Sequence, residues 1–333
     1  SNYEAGTPAE ALAMPRVLGV PARAGALGPV TTLLAGDTAS IGALAAGDVN
    51  GDGQLDLFVA PRAIGGLWPI PAPSTLLLGR PDGAFVRDAA NAGLLRGLGL
   101  ISAALLVDVV GDARPDLVVA VEFGPVRVLR NQGGRFDDVT ASLGLAGLRS
   151  RWNGLAAIDV DADGRLDLVA TSWGRNLPWG ASADRPHLLV TGPFGDAGPG
   201  LLFARADSVT GREMPLESFA RLGVAMPEVR RRIARYKEFA ASDVATVLGP
   251  DAGKAVRVGA TTYDHTLFRN RGSRFDAEPL PARAQMAPAF GVSVADFDGD
   301  GAEDLYLAQN FFPTEIATCL LYTSPSPRDA TLS

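Results

Sequence analysis

One cysteine, Cys319, stands in the 333 residues, so no intrachain disulfide framework can staple this chain and cysteine pairing says nothing of its redox compartment. Histidine is almost as scarce. His187 and His265 both sit in strand-like contexts, where a structural role is expected. No Cys/His cluster, G-x-S-x-G elbow or H-E-x-x-H pair appears, so the usual signatures of nucleophilic and zinc catalysis are missing. An excess of positive charge is missing too: the formal charge is −7, which argues against non-specific nucleic-acid binding. No apolar run is long enough to span a membrane, and the chain reads as a soluble protein. Its opening, SNYEAGTPAE, has no initiator methionine and no charged-then-apolar leader, as expected of a processed form or a fragment.

What the chain does have is a hydrophobic fraction of 47% together with 39 glycines and 24 prolines, enough for a sizeable core interrupted by many turns. It also has repetition. In ADFDGDGAEDLYLAQ, Asp296, Asp298 and Asp300 occupy positions one, three and five of a loop, Gly301 position six and Asp304 position nine. This is the front of an EF-hand-type calcium loop, in which alternate residues place oxygen ligands on the inside of a turn, the glycine takes the left-handed conformation, and the position-seven carbonyl, here that of Ala302, completes the shell. Position twelve is Leu307 within the apolar run Leu305-Tyr306-Leu307-Ala308, so a strand rather than a helix follows. The same pattern recurs at Asp48, Asn50, Asp52, Gln54 and Asp56, and again at Asp159, Asp161, Asp163, Arg165 and Asp167. Three calcium sites are therefore expected. A fourth copy, Asp108, Asp112 and Asp116, has Val110 at position three and Ala113 in place of the glycine, and is expected to bind weakly or not at all. The competing reading of such loops is an acidic turn whose side chains cap local backbone amides.

Taken in order, residues 1–40 read as a lead-in with one strand near Pro29 to Leu34, and the repeat units fill 41–312. Each unit offers four short strands with turn punctuation, and loop starts 60 and 51 residues apart suit one four-stranded propeller blade each. The next full loop lies 137 residues on. Two features are expected to account for that gap: a decayed loop at Gly192 to Gly198 retaining only Asp196, and a helical insertion at about 213–250 whose apolar stripe runs Val229, Ile233, Tyr236, Ala240, Val244, Val247 and Leu248. Arg230-Arg231-Arg232 then reads as the solvated face of that helix. Trp68, Trp152, Trp173 and Trp179 invite a sugar-stacking reading, with core or rim packing favoured. Residues 313–333 carry no pattern, and the run YTSPSPRD resembles translated sequencing-adapter read-through, so this tail is expected to be non-native or disordered.

An apolar-Gly pair followed by D-x-[DN]-x-D-G-x-x-D-L and a β-run resembles FG-GAP or VCBS repeats, the blades of integrin-α-like propellers; Phe290-Gly291 supplies the FG. The order MPEVRRRIARYKEFA, LFRNRGSRF, then LPARAQMAPAFGVSVADFDGDGAEDLYLAQNFF is similar to the ASPIC/UnbV-associated group that includes cartilage acidic proteins. The resemblance implies an all-β, seven-bladed propeller, here incomplete, that is secreted, periplasmic or displayed at the cell surface, acts in adhesion or interaction, and in that group is commonly followed by an ASPIC/UnbV segment. The function expected is a non-catalytic, calcium-stabilised, monomeric module for a protein or glycan ligand. The alternative is a propeller lyase or hydrolase that uses calcium to neutralise a uronate.

Overall fold

The computed structural model describes residues 12, 16–64, 67–177, 180–195 and 198–309. The tail at 313–333, Trp179 and Asp196 therefore lie outside the described residues.

Each repeat folds as an antiparallel sheet whose strands are consecutive in sequence. Blade 1 consists of Ala39–Gly47, Asp56–Ile64, Thr75–Gly79 and Phe85–Arg87. Blade 2 consists of Ile101–Val107, Asp116–Gly124, Val126–Asn131 and Phe136–Asp138, with the short strand Ser150–Arg151 added against the far end of its second strand. Blade 3 is Gly154–Ile158, Asp167–Thr171, Thr266–Asn270 and Phe275–Pro279, and a fourth unit pairs Ala289–Ala295 with Asp304–Gln309. The first strands of successive units lie side by side, as inner strands of a propeller do. Glycine permits the closest of these approaches. A Cβ at Gly42 would stand 2.5 Å from the Ile101 carbonyl oxygen, and one at Gly154 2.8 Å from that of Phe290.

The cores lie between blades, which explains why the strands read as near-continuous apolar runs. Every residue of Asp116–Gly124 is buried. Leu117, Val119 and Val121 pack towards Phe58, Ala60 and Leu76 of blade 1, while Val118 and Ala120 pack towards Leu155, Leu168 and Phe268 of blade 3. A strand with period-two side chains and a blade on each side must be apolar on both faces. Trp152 fills the second of these cores, edge-on to Phe268, and donates its Nε1–H to the Gly124 carbonyl at 2.9 Å. The fold is thus all-β and propeller-like. The lead-in pairs Val17–Gly19 with Thr31–Leu34 and packs Val17 and Leu34 on Val59 and Leu77 of blade 1.

The long gap between loops is filled by an insertion longer than the helical one expected. Blade 3 is split between its second and third strands, and everything from Ser172 to His265 is inserted there. Gly192 to Gly195 and Gly198, in place of the expected decayed loop, belong to a hairpin of a separate sheet, in which Glu213–Pro215, Gly198–Ala206, His187–Gly195 and Val256–Ala260 are neighbours in that order. Nor is there one long helix. Four short ones, α1 (Phe219–Ala225), α2 (Pro227–Arg232), α3 (Tyr236–Ala240) and α4 (Val244–Leu248), cover the sheet. Ile233 and Arg235 take extended backbone angles, which breaks the stripe: Val229, Ile233, Val244 and Val247 are buried while Tyr236 is exposed. Asp243 starts α4 by accepting from the Thr246 amide, and its bonds to Thr246 and Arg212 hold its pKa down at about 2.

Candidate metal loops

In every unit the residue before the acidic loop pairs with the position-nine aspartate: Gly47 with Asp56, Val107 with Asp116, Ile158 with Asp167, Ala295 with Asp304. The four loops therefore leave the same end of their blades in the same register. Their backbones coincide as well. Position six is left-handed at Gly53, Gly164 and Gly301, with φ of +81°, +83° and +89°, and stays left-handed at Ala113, with φ of +64°.

Two carboxylates build each loop. At position one, Asp48 accepts from the amides of Gly51 and Asp52 through one oxygen and of Gly53 through the other, at 2.8 to 3.2 Å. Led by the Gly53 amide, these bonds hold its pKa below the usual carboxylate value. Asp108 and Asp296 accept from the equivalent amides. At position nine the carboxylates of Asp56, Asp116 and Asp167 are buried. Asp56 takes the Val49 amide on one oxygen and the Gly79 amide on the other, and Asp116 does the same with Val109 and Val110 against Asn131. Burial pushes their pKa values up against the pull of those amides. Amide capping, the competing reading of such loops, is thus a property of all of them.

The remaining carboxylates differ from loop to loop. Asp159, Asp161 and Asp163 bring ligand oxygens within 4.8 Å of one another, and so do Asp296, Asp298 and Asp304; each group could hold a metal ion. Asp300 stands outside the second group, where its carboxylate caps the Ala302 amide. In blade 1, Asn50 bridges to Asp52 by a 3.0 Å bond, leaving position one, position five and the amide oxygen as candidate ligands. The side chains of Gln54 and Ala302 touch no loop carboxylate among the described residues, and only their backbone carbonyls suit a metal; the same holds for the carbonyl of Arg165, although its side chain pairs with Asp163 and reaches the Asn270 carbonyl.

Arginine is the component that spacing did not flag. In the degenerate loop, Arg114 and Arg130 both clamp Asp112, at 2.8 and 3.0 Å, and together outweigh the burial that would raise its pKa. Blade 3 uses the same device in part: Arg269 reaches Asp161 at 3.2 Å, with Arg271 at 3.9 Å. Register shows why. Arg130 and Arg269 each precede the asparagine whose amide binds the position-nine carboxylate, and blade 1 has Leu78 there. Those asparagines, in NQGGRF and NRGSRF, also tie blades together: Asn131 donates to the Val49 carbonyl of blade 1 at 2.8 Å and Asn270 to the Val109 carbonyl of blade 2 at 2.9 Å.

The other singled-out residues lie elsewhere. His265 is buried where the insertion rejoins blade 3; its Nδ1 accepts from the Ser172 amide and its Nε2 faces the Ala287 carbonyl. His187 is buried in the insertion sheet against Tyr263 and Phe203, and burial, then Arg151 and Arg205, lower its pKa to about 4. Of the basic run, Arg230 stacks on Phe219 at 4.2 Å and Arg232 donates to the Val247 carbonyl, so these two arginines hold the helical layer rather than simply facing solvent.

Against known proteins, residues 108–170 match the FG-GAP-like repeat, a stretch running from the arginine-clamped loop through the second strand of blade 3. Cartilage acidic protein 1 of Xenopus tropicalis is 26% identical in an alignment of 273 residues that covers 78% of this chain. The chain spans about 37% of that relative's length. No helix among the described residues is long and apolar enough to cross a membrane.

Proposed function

We propose that this chain, which carries FG-GAP-like repeat sequence, is a calcium-stabilised propeller segment that serves as a non-catalytic interaction module outside the cell or at its surface. The observation that carries the reading is the acidic loop repeated in one register at one end of successive blades, with carboxylates converging at Asp159, Asp161 and Asp163 and at Asp296, Asp298 and Asp304. The donor set is all oxygen, which suits a hard cation and not a transition metal.

Calcium would be held by Asp48, Asn50, Asp52, the Gln54 carbonyl and Asp56 in blade 1, by Asp159, Asp161, Asp163, the Arg165 carbonyl and Asp167 in blade 3, and by Asp296, Asp298, Asp300, the Ala302 carbonyl and Asp304 in the fourth unit. It supplies positive charge where the loops concentrate negative charge, and so locks the turn. The arginines of blade 3 compete for that role, so its site is the weakest of the three. The loop at Asp108, Asp112 and Asp116 is satisfied by Arg114 and Arg130 and binds none. Extracellular calcium modules have dissociation constants of ~10⁻⁴ to 10⁻³ M, and at about 1 mM free calcium a site at the tight end adds about 1.4 kcal/mol. In low-calcium cytosol the same loops would add almost nothing, which supports an exported location for a monomer that meets a protein or glycan partner.

The test is thermal unfolding in chelator and in 1 mM calcium, alongside incubation with uronate-rich polymers. A calcium-dependent rise of a few °C without turnover is expected. No rise would remove the calcium, and turnover would replace the module with a lyase or hydrolase.

A further inference from the structure

The end of the blades opposite the acidic loops holds a second concentration of charge, and its sign is reversed. A cavity of about 430 Å³ opens there between Gly42, Ser102, Asn153 and Phe290, from the starts of the four inner strands or the residue just before one, and Arg62, Arg151 and Trp173. Behind it lies Glu122, whose side chain is 2% exposed. Arg62 turns its Nε and Nη2 to one Glu122 oxygen at 3.1 and 2.6 Å, and Arg151 turns its Nε and Nη2 to the other at 3.1 Å each. Trp68 adds its Nε1–H at 3.4 Å. One buried carboxylate is thus shared by two guanidiniums, leaving one positive charge in excess.

The geometry fixes where that excess is presented. Arg151 lies over the Trp173 ring at 4.3 Å and beside Phe123 at 5.3 Å, so its plane cannot swing away from the cavity wall. Arg62 keeps 35% of its side chain exposed. Among the described residues, no protein acceptor faces Nη1 of either arginine, and no acidic side chain lines the cavity. Two guanidiniums held rigidly by a common buried acid form a prebuilt anion site, because the ordering of long side chains has already taken place before a ligand arrives.

We propose that this cavity binds a carboxylate of a partner polypeptide, an Asp or Glu side chain. The proposal rests on reading the chain as an interaction module and names the chemistry of its ligand. An acidic sugar fits less well. It would need donors for several hydroxyls, and the donors beside the arginines are engaged: the Ser102 hydroxyl donates to the Ala120 carbonyl, and the Asn153 amide nitrogen to the carbonyls of Ser172 and Ala289.

The experiment titrates the full chain with penta-glutamate, penta-glutamine and a glucuronate disaccharide in 0.1 M salt, following tryptophan emission and calorimetric heat. Saturable binding of penta-glutamate alone is expected, weakened about 10-fold by Arg62→Met. Because Arg62→Met also strips a partner from Glu122, Ser102→Glu serves as the second variant. It places a carboxylate beside the arginines while leaving both on Glu122, and is expected to abolish binding without lowering the melting temperature. Equal binding of penta-glutamine, preference for the disaccharide, or penta-glutamate binding that survives both substitutions would overturn the assignment. A partner whose binding ignores both substitutions would leave the interaction module standing and refute only this pocket. Absence of any calcium effect with intact penta-glutamate binding would do the reverse.

Discussion

Blades 1 and 2 turn from their first strand to their second through loops that make the same backbone hydrogen bonds, yet they dispose of their charge differently. In blade 1 the carboxylates of Asp48 and Asp52 face no arginine among the described residues, because Gln54 and Leu78 occupy the positions from which Arg114 and Arg130 reach Asp112 in blade 2. In blade 2 a loop of this shape takes its positive charge from the chain's own arginines. It needs the position-one and position-nine carboxylates to take up amides that strands cannot satisfy, and then needs some positive charge for the acid left over. That charge can come from solution or from the chain itself.

The sharpest way to break this division is to remove a carboxylate that both loops share. Asp116→Ala would orphan the buried amides of Val109 and Asn131, and Asp56→Ala those of Val49 and Gly79. Each is expected to cost about 3 kcal/mol or more, since an unsatisfied buried donor costs about 1–3 kcal/mol. Denaturant unfolding should show the Asp116→Ala loss at full size in chelator and in calcium alike. A loss confined to calcium-containing buffer would mean that position nine acts through the metal alone.

The insertion sheet sharpens the comparison from another side, because His187 in it responds to protons instead of calcium. His187 is buried neutral, its pKa lowered to about 4 by burial and by Arg151 and Arg205. On acidification the unfolded chain takes up its proton near pH 6.5 while the folded chain resists until about pH 4, so stability falls as pH drops through that window. Up to roughly 3 kcal/mol is at stake. His187→Phe should flatten stability between pH 6.5 and 4, and an unaltered slope would place the acid sensitivity elsewhere.

Exchanging the two loop types has a smaller effect. Val110→Asn, Arg114→Gln and Arg130→Leu together give blade 2 the residues of blade 1 at these three positions, with Ala113 kept, and should create calcium-dependent stabilisation of about 1.4 kcal/mol where none existed. The reciprocal pair, Gln54→Arg with Leu78→Arg, should raise stability in chelator and remove the blade 1 share of the calcium response. Unchanged calcium dependence in both variants would mean that arginine does not stand in for the metal.

How far the sequence revealed this follows from what is local. The loops and the strands beside them were legible because their determinants are local in sequence, the blade spacing followed from the recurrence of the loops, and period-two or all-apolar patterning reports burial directly. The arginine clamp was not, since Arg130 meets Asp112 only through pairing of the second and third strands. Blade 3 hid its continuity for the same reason. Ala170 and Thr266 are brought together by a sheet register that the insertion obscures, so its hairpin near Gly195 resembled a worn repeat. The pocket at Arg62, Glu122 and Arg151 joins residues from three separate strands, and no spacing announces it.

The smallest effect tests whether loop shape and loop charge are separable. Ala113 is exposed and left-handed at φ of +64°, and its amide donates to Asp108 at 2.7 Å. An alanine there carries strain of about 1–2 kcal/mol that glycine does not, offset in part by glycine's greater freedom in the unfolded chain, about 0.4–1 kcal/mol. Ala113→Gly should therefore stabilise the protein by about 0.5–1 kcal/mol, read as a rise of about 2 °C. The gain should be the same in chelator and in calcium, because Arg114 and Arg130 still hold Asp112. If the glycine instead brought calcium dependence with it, the missing glycine and not the arginine clamp would be what silences the blade 2 loop.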